Sequence, residues 1–208
     1  MTAYQGDSTS VRRLSLLQLV LGTVAAGSAS ALVVVAFSPF SAATAAFSPP
    51  LYALIAGAYS IVPFLARRYL DYRWAATVVG IVAAILSAPV SPIGILIVVL
   101  FVGAGAAYDA VIWMFAGDRA GRATPAWIYV VAAVVSALVL FLVSYPVLSP
   151  AHRVPMILAA TFGGRVIGQL TASALAGLGA RLLLRAGDRR SAYRLSRRGR
   201  GRDGSDPR

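Results

Sequence analysis

The sequence predicts an all-α integral membrane protein, a bundle of about six transmembrane helices with the N- and C-termini cytoplasmic. Three observations predict it. Of 208 residues, 59% are hydrophobic and only 12% charged, whereas a soluble domain runs near a quarter charged. Apolar runs recur at lengths close to the roughly 20 residues that a helix needs to cross a bilayer. Arginine falls in alternate connections between those runs, as the positive-inside bias requires of an even number of spans.

Six segments can be marked, at 14–37, 50–66, 74–88, 93–116, 125–147 and 154–180. The first follows Arg12 and Arg13 and imitates a signal peptide, down to a small-residue "SASA". Its apolar run continues for roughly 23 residues, beyond the usual 7–15, so it reads as a retained span. The connection 38–49, "SPFSAATAAFSP", is uncharged and semi-apolar; such a loop packs on the outer mouth of a bundle. Arg67, Arg68 and Arg73 separate segments two and three. Segment three reaches only about 22 Å at the helical rise, short of the roughly 30 Å hydrocarbon layer. Either it begins near Tyr69, with Tyr72 and Trp74 as interfacial anchors, or "SAPVSP" joins a re-entrant pair. Arg119 and Arg122 separate four from five, whereas 148–153 carries only His152 and Arg153. The predicted organisation is a cytoplasmic segment 1–13, a membrane domain 14–186 and a basic, disordered cytoplasmic tail 187–208.

Charge and motifs exclude several classes. The chain has 19 Arg, seven Asp, no Lys and no Glu, for a net charge of +12. Ten of the Arg lie in 181–208 and most others flank the apolar runs, which argues for anionic lipid at the tail rather than nucleic acid. With no Cys, disulfides and thiolate metal sites are excluded. "GRGRDG", 199–204, matches G-x-G-x-x-G but lacks the strand and helix that motif needs. No Walker A, zinc spacing or G-x-S-x-G elbow is present, and His152 reads as a solvated loop residue. The chain is predicted to be no enzyme and to hold no metal or cofactor; uphill work would draw on an ion or a partner.

Small residues form the clearest pattern. Gly164, Gly168, Ala172, Ala176 and Ala180 recur at four-residue intervals in segment six. Segment one carries overlapping pairs, Gly22 with Ala26 and Ala25 with Ala29. Such stripes let helix backbones approach closely in lipid, where the hydrophobic effect does not drive association. They serve either packing within the bundle or docking of another membrane subunit.

Asp109, in "GAGAAYDAVIWMF", is an acid inside an apolar run, and Arg165 is a base inside another. A charge at mid-span costs about 2.5–3.5 kcal/mol even on insertion scales, so each needs an answer. Their depths, about 20 Å and about 15 Å from the outer ends, allow an ion pair between segments four and six. The alternatives are a polar ligand cavity faced by one or both, or a proton relay. Tyr108, Tyr59 and Gln169, with Gln18, Trp113 and Tyr145, are candidates for the walls of such a cavity.

The pattern resembles the substrate-binding S component of an energy-coupling factor (ECF) ABC transporter. The resemblance lies in the Ala25–Ala29 spacing, in "SPPLYALIAGAYSIVPFLARR", and in "GAGAAYDAVIWMF", which is similar to the "QG…E" stretch of thiamine or hydroxymethylpyrimidine members. The chain departs from those members in having no Asn at all and no Gln in the stretch just before Asp109. The resemblance implies capture of a vitamin-like solute from outside and docking through Ala25, Ala29, Gly22 and Ala26 on a T component driven by ATPase subunits. It also implies that 38–49 acts as a lid, and that the chain is multi-pass in the bacterial cytoplasmic membrane. A structural or assembly protein oligomerising through its small-residue faces, and a small secondary transporter, are the other readings of the residues.

Overall fold

The computed structural model describes residues 16–70, 72–91, 94–117 and 124–200. The expected segment 1–13, the Arg119 and Arg122 pair and residues 201–208 lie outside them. Every described element is helical: α1 Leu16–Phe47, α2 Pro49–Ile55, α3 Ile61–Tyr69, α4 Ala75–Ser87, α5 Leu96–Ala116, α6 Ala126–Ser144 and α7 Pro155–Arg200, with short 3-10 turns between some of them. The chain is an all-α, multi-pass membrane protein. Among the described residues five stretches are long and apolar enough to span, and the sixth, Ala75–Ser87, is shorter.

α1 runs past the predicted stop at 37, and the expected 38–49 loop is instead its last turns and the start of α2. Pro39 removes one ladder bond, but a helix already formed adds residues at little cost. Ser41 and Thr44 also donate back to the Ser38 and Phe40 carbonyls, both at 3.0 Å. The second span is made of two helices joined by a 3-10 turn, Ala56–Ser60. Pro49 and Pro50 open it, where missing N–H groups cost nothing. Pro63, in the first turn of α3, has no N–H to continue a regular ladder across the joint.

α4 settles the question of the third segment. It runs antiparallel along α5, with Arg73 stacked 4.1 Å from the Trp113 ring at one end. At the other end Ala83 and Ala84 meet Ile97 and Phe101 in one cluster. It therefore crosses the bundle rather than turning back. Its small residues allow this burial: Ala75, Ala76, Gly80, Ala83 and Ala84 are all buried.

α7 continues to Arg200, 46 residues or about 69 Å. The expectation of a tail without structure from 187 is thus not met as far as Arg200. High charge reads as disorder in isolation, but Arg, Leu and Ala are good helix formers, and here they extend an existing helix.

The bundle is packed unevenly. At the end carrying Arg67, Arg68 and Arg73, α3 to α7 converge on a core of Phe64, Tyr108, Ile112, Ile128, Tyr129 and small alanines. Towards the other end, where α1 meets α2 and α6 meets α7, the helices separate around a cavity.

Candidate functional site: a cavity at one end and an ion cluster at the other

The cavity has a volume of about 400 Å³, within the range of small-molecule sites. Helical spacing explains its walls. α1 contributes Val34, Ser38, Ser41 and Ala45, at steps of four, three and four. Tyr52 and Ala56 are one α-turn apart, and Tyr59 follows three residues later because the 3-10 turn has three residues per turn. The same turn sets Gly57 against Gly168, where an added Cβ would strike the Gly168 backbone. α5 contributes Ile97, Phe101 and Ala104, and the 147–152 connection supplies Ser149 and His152 at the mouth. Arg153 holds that connection by donating to the Leu148 and Pro146 carbonyls at 3.0 and 3.1 Å.

Arg165 lines the cavity from α7 and is 4% exposed. Its guanidinium lies 5.4 Å from the Tyr52 ring centroid, and its Nε has no hydrogen-bond partner. No acidic side chain is among the described lining residues. Gln169, one turn on, stands behind the wall and donates to Ser60 Oγ at 2.9 Å.

Asp109 is elsewhere, and its predicted pairing with Arg165 is not made. It is fully buried near the arginine-rich end. Its Oδ2 accepts from the Thr77 N–H and from the Thr77 hydroxyl, both at 2.8 Å. Thr77 is in the first turn of α4, which has no side-chain cap of its own. Asp109 thus serves as a cap borrowed from another helix, at the end where the dipole favours a negative charge. Its Oδ1 faces Arg67 Nε at 3.2 Å, the one ion pair among the described residues.

Tyr108 also points away from the cavity. It stacks on Phe64 at 3.6 Å and meets Ser173 Oγ at 3.1 Å. Arg68 donates to Ser173 at 2.8 Å and sits 3.7 Å over the Tyr129 ring. Of the five candidate binding residues, the fold brings Arg165 and Tyr59 to the cavity, Gln169 behind it, and Asp109 and Tyr108 to the opposite cluster. Sequence reasoning missed Tyr52, Phe101 and the serines of the wall. It also read Arg67 as a loop charge, although it is 3% exposed.

The small-residue stripes divide. On α7, Gly164 and Gly168 lie against the backbone of α2, and Ala172 and Ala176 are in the core; that stripe is used inside the bundle. On α1, Gly22 lies near Leu70 and Ala26 packs on the cluster of Ala66, Leu70, Ala75 and Val79. Ala25 and Ala29 remain exposed, between the exposed Leu21 and Leu32.

No family model matches the sequence, and no curated protein matches it. A solved structure described as an S component of an ECF transporter superposes with a TM-score of 0.73 at 21% sequence identity, covering 92% of this chain and 98% of that chain. At that identity the likeness establishes the fold, which is that of a helical membrane S component over nearly the whole chain.

Proposed function

We propose that the chain is the solute-capturing S component of an ECF-type importer in the bacterial cytoplasmic membrane. The observation that carries the reading is the cavity of about 400 Å³, open at one end of a bundle with this fold. Both termini are cytoplasmic and the cavity faces outward, so that the solute enters past the last turns of α1 and the Ser149–His152 connection. The exposed Ala25 and Ala29 are the surface for a T component: small side chains flanked by large ones let a second backbone come close. ATPase subunits supply the energy. Arginines along α7 from Arg181 onward meet anionic lipid at the cytoplasmic face.

The solute is small and vitamin-like. Tyr52, Tyr59 and Phe101 among apolar neighbours support a planar, mostly apolar body. The thiamine or hydroxymethylpyrimidine class rests on the resemblance of 103–115 alone, and Asp109, the acid that would meet a cation, is engaged by Thr77 and Arg67. The assembly reading loses its main support, because the α7 stripe is occupied by α2.

Purification in mild detergent with mass spectrometry for a retained solute and partner subunits tests the proposal. Ala25→Trp with Ala29→Trp is expected to abolish co-purification of the T component and uptake, with solute retention unchanged. Undiminished co-purification would overturn the assignment of that face.

A further inference from the structure

Among the described residues Arg67 and Arg165 are buried and Arg68 is half-buried. Arg67 has Asp109, and Arg68 has Ser173, Tyr108 and the Tyr129 ring. Arg165 is as buried as Arg67, yet among the described residues it has no acidic partner, and Tyr52 meets it with its ring face and its hydroxyl. An aromatic face attracts a cation but does not neutralise it. A guanidinium stays charged at any physiological pH, and a buried charge without a counter-ion is strongly unfavourable. The acid that sequence reasoning offered to it, Asp109, is taken.

What Arg165 does face is the cavity, whose described lining has no acid. The guanidinium fork matches a planar carboxylate two bonds at a time. Hydroxyls of Ser38 and Ser60 line the same space and can donate to the same group. A single fixed cation balances a monoanion, whereas a phosphate monoester carries close to two charges at neutral pH and would stay partly uncompensated.

Resting on the solute-capture reading above, we infer that the captured solute is a monoanionic carboxylate on a planar or apolar body, with its carboxylate held by Arg165. The site selects against cations, thiamine included. Solute discrimination resides in α7 and not in the Asp109 stretch of α5.

The test uses the full chain in lipid nanodiscs, with binding read by native mass spectrometry. The probes are three acids with neutral counterparts (nicotinate and nicotinamide, biotin and biotinamide, pantothenate and pantothenol), together with thiamine. The solute retained through purification is identified by mass. The retained solute is expected to carry a carboxylate. At least one acid is expected to bind about tenfold or more tightly than its counterpart, the worth of one charge-assisted hydrogen bond. Arg165→Gln should erase that preference and Arg165→Lys should keep part of it, since Lys keeps the charge but not the fork. The acid–neutral comparison on the unmodified chain needs no variant to fold. A neutral or cationic retained solute, a counterpart or thiamine binding as well as every acid, or a preference that survives Arg165→Gln overturns the inference and leaves the capture reading standing. A chain that retains no solute and binds no probe overturns the capture reading itself.

Discussion

Asp109→Asn separates the two roles that a buried acid can have in this bundle. The amide oxygen can still accept from Thr77, so shape and one cap are kept while the charge is lost. Arg67, 3% exposed, is then left without its ion-pair partner. Removing one member of a buried pair costs about 3–5 kcal/mol in soluble proteins. Interhelical bonds within membranes measure weaker, because the membrane-inserted reference state also finds partners; the lower limit, about 3 kcal/mol, is the working figure. For a chain of this size each kcal/mol moves the midpoint by about 2–4 °C, so thermal unfolding in detergent should shift down by roughly 6–12 °C. Adding Arg67→Met should recover most of the loss, because no charge is then stranded, and the double-mutant cycle reads that coupling directly. Solute retained per folded molecule should not change. A midpoint within about 2 °C of the parent would refute the claim that Asp109 is Arg67's essential counter-charge. Lost retention at an unchanged midpoint would refute its placement outside the cavity.

Two further perturbations follow from the same geometry. Gly168→Ala would set a Cβ against the Leu54 carbonyl and the Gly57 Cα. Backbone cannot give way as a side chain can, so α2 and α7 must separate at a cost of about 1–3 kcal/mol; a lower midpoint and a smaller monodisperse fraction on size exclusion check it. Arg153→Ala removes two bonds to the exposed Pro146 and Leu148 carbonyls. Its effect on stability should stay within about 0.5 kcal/mol, while amide exchange at 145–153 rises and solute leaves the cavity faster.

The spans were legible because a bilayer demands a long apolar run, and each of the six runs is a helical stretch here. What failed were the ends. "SP" at 38–39 reads as a stop in a sequence window, and the arginines after 187 read as disorder, but both stretches continue helices already formed. Asp109 stood out as an acid in an apolar run, and its need for a partner was legible too. The identity of the partner was not. Distance along a helix gave Arg165 a depth compatible with Asp109, but the fold sets Tyr108 beside Ser173, two turns beyond Arg165, and only the packing gives both the level and the direction of a side chain. α5 lies against α4 and α6, whereas α7 lies against α2, α3 and α6. Arg67 was hidden because a basic residue closing an apolar run looks the same whether it enters water or turns inward. Tyr52 and Phe101 gave no signal among nine Tyr and eight Phe.

The two ends of the bundle explain each other. A cavity of about 400 Å³ among apolar walls forgoes the contacts that would otherwise hold six spans together. In lipid there is little hydrophobic drive between helices to make up the loss, so packing and polar bonds elsewhere must do it. The opposite end has both. Phe64 on Tyr108, Arg68 over Tyr129 and bonded to Ser173, and Asp109 joining α3, α4 and α5 fix five helices at one level. The glycine crossing of α2 and α7 then extends that register to the cavity wall, turning Tyr59 and Ser60 inward. If this division holds, lesions at the closed end lower the number of folded molecules and leave each survivor's affinity intact. Lesions at Arg165 or Tyr52 do the reverse. A variant such as Asp109→Asn that changed affinity in proportion to stability would show that the ends are coupled.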